Sequence, residues 1–122
     1  MDLAKDLDLL QQADVPLDII HEALKHTYFL TQASALLGLG RKLRHFPEHR
    51  TNDWLNILDA IIHSPNALIE VSDGTNLVHL CLGCIVEIGT SEANDYFVAQ
   101  FDKLNDHDLN QLNVVSGMFD NF

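Results

Sequence analysis

The chain has 122 residues, 47% of them hydrophobic, and a formal net charge of -11. A balanced composition of this length excludes an extended disordered chain and fits one domain large enough to bury a core without staples. Two cysteines are too few for a secreted disulfide framework, and the surplus of acid argues against a nucleic-acid partner.

Leucines 3, 7 and 10 are spaced as on a helix, which predicts a first helix over 2–13. Pro16 ends that pattern and opens the next helix, with Leu17, Ile20, Leu24 and Tyr28 on its apolar side. A third helix is expected over 32–45, with Ala33, Leu36, Leu37, Leu43 and Phe46 inward. Gly38 and Gly40 weaken its middle by about 1 kcal/mol each relative to alanine. Pro47 follows, and 46–50 reads as a loop.

Thr51 is a suitable cap for a helix over 52–63, whose apolar residues are Trp54, Leu58, Ile61 and Ile62. Ser64 before Pro65 is a second cap-and-first-turn pair, predicting a short helix over 65–71. Asp73-Gly74 reads as a turn. Thr75 then caps the most apolar helix, 76–88, which Gly89 ends; its scarcity of polar positions marks it as the central one. Ser91 caps a helix over 92–104, with Ala93, Phe97, Phe101 and Leu104 inward. A last helix is expected over 107–118, with 119–122 as a tail. No alternating strand pattern appears.

The expected fold is therefore all-α, a single domain over 1–122. It would hold about seven short helices stacked as antiparallel hairpins. Residues 79–119 are the most specific part. Ile88-Gly89, then Ser91-Glu92-Ala93, then Phe97, Phe101 and Leu104, then an Asn105-Asp106 turn, together resemble a HEAT-like helical repeat. Leu77 and Leu80 recur as Leu109 and Leu112. The resemblance implies a binding scaffold whose second helices line a concave face.

The candidate chemistry is sparse. Cys81 and Cys84 form a CxxC in mid-helix, where no helix N-terminus favours a thiolate and no second ligand pair completes a zinc site. They read as buried structural thiols. His21-Glu22 and His26 miss the metalloprotease spacing by one residue. Gly38 to Lys42 lacks the spacing and the strand of a phosphate loop. No nucleophile elbow is present. No catalytic residue, metal or cofactor is expected. Arg41, Lys42, Arg44 and Arg50 form a basic stretch that reads as a helix end complementing the dipole.

The charge is unevenly placed. Residues 1–50 hold seven acids and six bases, whereas 51–122 hold eleven acids and only Lys103. The expected binding surface is Glu70, Asp73, Glu92, Asp95, Tyr96, Asp102, Asp106 and Asp108, with the tyrosine as an exposed aromatic among carboxylates. Such a surface steers a basic protein toward it. By type, a small acidic one-domain chain resembles the bacterial immunity proteins of contact-dependent growth inhibition, which implies a nuclease-type toxin as partner. A helical-repeat scaffold or adaptor and a small helical enzyme or ligand-binding domain are the alternative readings. The acidic start, 1–6, and the absence of a long apolar run lead to the expectation of a cytoplasmic location without membrane contact.

Overall fold

The computed structural model describes residues 8–121. Residues 8–10 are helical, and the rest of the helix expected over 2–13 lies outside the described residues or in turns. Six further α-helices follow: α1 Leu17–Leu24, α2 Phe29–His45, α3 Leu55–Ile62, α4 Leu77–Ile88, α5 Ser91–Phe101 and α6 Asp106–Met118. Short 3-10 turns at Pro47–His49 and Asn52–Trp54 lie between α2 and α3. The domain is mostly helical, as the periodicity implied.

Helix α4 is the axis. Nine of its twelve residues are buried, and α2, α3, α5 and α6 all pack against it. A helix apolar on every side has to be surrounded in this way. Helix α2 carries α1 on its other side. One core cluster runs through the whole, from Leu10 and Ile20 to Val115 and Phe119.

Two capping expectations shift by one residue. Asn76 rather than Thr75 caps α4, because its Oδ1 accepts the His79 amide at 3.1 Å and His79 Nδ1 accepts the Asn76 amide at 3.0 Å. Thr90 rather than Ser91 caps α5, and Asn105 caps α6 in a reciprocal box with Asp108. Thr51 makes no side-chain cap; a 3-10 turn leads into α3 instead.

The helix expected over 65–71 does not form. The chain runs through turns into a two-stranded hairpin, β1 Glu70–Ser72 and β2 Thr75–Asn76, joined by Asp73 and Gly74. Both turn residues have positive φ, 41° and 85°. That turn twists two strands together, and Asp-Gly is one of the few pairs that adopts it readily. The turn chemistry therefore outweighs the Ser64-Pro65 helix start.

The tail is the largest correction. Phe119 is fully buried, and its ring fills the space that a side chain at Gly40 of α2 would occupy. Gly83 of α4 and Val115 of α6 meet at the same place. Gly40, expected to weaken α2, is the point where the helix admits the C-terminal aromatic.

Candidate acidic surface and groove

The basic stretch is spent inside the molecule. Arg41 Nε donates to the Met118 carbonyl at 3.0 Å, and Lys42 Nζ, almost buried, donates to the Ala13 carbonyl at 2.8 Å. Arg44 donates to Glu87, to Asp120 Oδ1 at 2.5 Å and to the Ser116 carbonyl at 2.6 Å. Arg50 donates to the carbonyls of Leu43 and Arg44. Arg41, Lys42 and Arg44 staple α2 to the N-terminal turn, α4 and the C-terminus, and Arg50 closes the end of α2, rather than lining a site. The outward charge is consequently acidic on both halves of the chain, with Asp14, Asp18, Glu22 and Glu48 exposed alongside eight of the eleven acids after residue 50.

The eight residues expected to form one face are divided among several. Glu92 and Tyr96, four apart on α5, look toward α3: Glu92 Oε2 accepts from Asn52 at 3.0 Å, and Tyr96 Oη donates to Asp59 Oδ1 at 2.5 Å. Tyr96 is half-buried and packs on the core, so it is not an exposed anchor. Burial first, and then the bond to Asp59, push its hydroxyl above the ordinary range, so it stays neutral. Asp95 on α5 and Asp102, the residue that caps its end, stand seven apart and are both exposed. Asp106, also exposed, opens α6 just beyond. Glu70 and Asp73 belong to the hairpin, where Glu70 Oε1 accepts the Gly74 amide at 2.5 Å. The hairpin sits on one flank of α6, through Thr75 with Gln111 at 2.7 Å and Gly74 with His107 at 3.2 Å.

Asp108 is structural. Its Oδ1 lies 2.8 Å from Nε2 of His79, which is buried, and its Oδ2 accepts the Asn105 amide at 3.1 Å. Because His79 Nδ1 accepts a backbone amide, the ring proton sits on Nε2 and is donated to Asp108. A His-Asp pair of this kind serves catalysis only if the second ring nitrogen faces a substrate. Here that nitrogen closes a helix cap. The His79 hydrogen bond is the main force holding Asp108 below the usual carboxylate range. A depressed carboxyl contributes stability above its unfolded pKa of about 3.9 and loses it as the pH falls through the folded value. Asp108→Asn should cost about 1–3 kcal/mol at neutral pH. Its urea-derived stability should fall less steeply than that of the wild type between about pH 5 and pH 2; parallel acid limbs would show that the pair carries no linkage.

Cys81 and Cys84 are fully buried, Cys84 Sγ donating to the Leu36 carbonyl at 3.3 Å. Burial pushes both thiols up, away from the reactive thiolate. Among the described residues, no group of three or more His, Cys, Asp or Glu is placed to hold a metal. Nor is any helix among them long and apolar enough to cross a membrane.

A groove that the hydrophobic pattern did not reveal lies on the other flank of α6. Helices α5 and α6 both lie along α4 but scarcely meet each other. Between them is an open hollow of about 340 Å³. Its floor is Gly83, Val86 and Glu87; Phe97 forms one wall, and Leu109, Leu112, Asn113 and Ser116 the other. Val86 is 51% exposed and Phe101, against Phe97, 49% exposed, although Phe101 was expected inward. Leu109 and Leu112 had shown only a repeat spacing. The one signal for the groove is that the apolar positions of α6 are scattered around it rather than gathered in one stripe, with only Val115 buried.

Together, fold and surface define a small helical domain with an acidic exterior and an apolar groove between α5 and α6. No family model, curated protein or solved structure matches the chain.

Proposed function

We propose that this chain is an acidic protein-binding domain, and that it neutralises a basic partner, most concretely a nuclease-type toxin, by covering its cleft. The observation that carries this reading is the sequestration of Arg41, Lys42, Arg44 and Arg50 in internal bonds, in a chain of net charge -11. A toxin that acts on nucleic acid carries a basic cleft, and an acidic helix competes for it with fast, salt-sensitive association. Of the residues first considered, Asp95, Asp102 and Asp106 supply the contact: they are exposed, and together they line the outer edge from α5 into α6. Glu92 and Asp108 are engaged within the fold, and Glu70 and Asp73 lie across α6. The groove between α5 and α6 favours a second reading, a helical-repeat scaffold or adaptor that holds a peptide.

Capture with the tagged full chain from its source cells tests the class. A basic protein recovered one-to-one, whose nuclease activity the purified chain abolishes, is the expected result. The triple change Asp95→Asn, Asp102→Asn, Asp106→Asn should weaken that complex by about 100-fold, since each close charge pair is worth on the order of 1 kcal/mol or more. Unchanged affinity would move the contact elsewhere, and recovery of no basic protein at low salt would sink the reading.

A further inference from the structure

The apolar groove has no occupant among the described residues, and its lining restricts what can fill it. A small-molecule site needs a few convergent polar groups aimed into an enclosed cavity. Here the hollow is open, and two of its three polar liners are already engaged: Glu87 and Ser116 both accept from Arg44, which leaves Asn113. The remaining lining is aliphatic and aromatic, in helical rows. Phe97 on α5, with Phe101 against it one turn on at the border, faces Leu109 and Leu112, three apart on α6. Such rows are the ridges between which a further helix packs.

Charge decides the kind of helix. Asp106 stands three residues before Leu109, on the same face of α6, and exposed Asp102 begins the turn that joins α5 to α6. The mouth of the groove at the α5–α6 turn is thus acidic, beside Lys103. A nucleic acid or a second copy of this chain, itself at -11, would meet like charge.

We infer that the groove between α5 and α6 receives one amphipathic helix of the partner, its apolar stripe lying on Val86, Phe97, Leu109 and Leu112 and its lysines or arginines meeting Asp102 and Asp106. This rests on the protein-binding reading above and names the element that is gripped. With α5 and α6, the partner helix makes a layer of three helices over α4. Its apolar side chains anchor it, and the charges select it.

The test uses the isotope-labelled full chain and a synthetic helical peptide of about four turns, with leucine at i, i+4, i+7 and i+11 and lysine on the flanking positions. Amide and methyl shifts should concentrate at Gly83, Val86, Phe97, Leu109 and Leu112. The same peptide with glutamate in place of lysine should bind at least about tenfold more weakly, a difference of about 1.4 kcal/mol. The double variant Val86→Gln, Phe101→Gln, at half-exposed positions, should lose at least about tenfold in affinity for the lysine peptide with an unchanged thermal midpoint. Shifts confined to Asp95 and Asp102, with the groove silent, would overturn the groove and leave the acidic-binding reading standing. Equal binding of the two peptides, or no shift at millimolar peptide, would also overturn it; the capture experiment judges the broader reading separately.

Discussion

Phe119→Ala is expected to destabilise the domain by about 3–5 kcal/mol, the range for deleting a fully buried aromatic. The ring is completely enclosed, wedged where Gly40, Gly83 and Val115 converge, with the Arg44 guanidinium 5.8 Å from its centroid. A domain of this size has about 5–15 kcal/mol in all, so the variant should unfold at a much lower urea concentration. Gly40→Ala should also destabilise, since the added methyl would overlap the same ring. In the double variant the two changes should combine to less than their sum, because removing the ring makes room for the methyl. A loss below about 1 kcal/mol for Phe119→Ala would mean that the C-terminus is not part of the core.

Arg44→Met is the second large effect, about 2–4 kcal/mol. Breaking a buried pair by removing one partner costs about 3–5 kcal/mol, and the partial exposure of this site lowers that. Arg44 is 23% exposed and Glu87 14%, whereas Asp120 is 65% exposed, so most of the loss comes from leaving Glu87 without its partner. The same guanidinium also satisfies the Ser116 carbonyl near the end of α6. Lysine should not restore stability, because one ammonium cannot reproduce the fork that reaches Glu87, Asp120 and Ser116 together. Glu87→Gln added to Arg44→Met should recover part of the loss by removing the unpaired charge. Denaturation that left Arg44→Lys as stable as wild type would show the fork to be dispensable.

Both effects join residues far apart in the chain, 43 positions for Arg44 with Glu87 and more than seventy for Gly40 with Phe119, which explains why the sequence reading missed them. Periodicity reports which side of a helix is apolar, and it placed α2, α4, α5 and α6 to within a few residues. It also marked α4 as central, because a helix apolar all round has no other place. It could not show that Phe119, beyond the last periodic residue, returns to the core, nor that Gly40 is its seat. Arg41, Lys42 and Arg44 looked like a solvated helix end because their acceptors lie at Met118, Ala13, Glu87 and Asp120. The hairpin was half legible: Asp73-Gly74 was read as a turn, but strands of three and two residues are too short to alternate visibly.

The acidic surface was legible as charge and not as geometry. Counting residues identified the surplus after position 50. Only the helix positions separate Glu92 and Tyr96, turned toward α3, from Asp95 and Asp102 on the outer edge. Asp108 differs for another reason: its His79 partner is 29 residues away and enters through a cap that uses histidine where glutamate or glutamine is usual. The groove is the least legible feature, since it depends on α5 and α6 parting over α4.

The central claim is that acidic side chains at the α5–α6 edge guide a basic protein onto the domain. Stopped-flow association with the captured partner, followed as ionic strength rises from about 10 mM to about 150 mM, tests it most directly, because charges separated by more than the Debye length of about 8 Å are screened at the upper end. The association rate constant of the wild-type chain should fall by about tenfold or more while dissociation changes little, and the Asp95→Asn, Asp102→Asn, Asp106→Asn variant should show a much flatter dependence. An association rate indifferent to salt, or one with the same salt dependence in the triple variant, would contradict it.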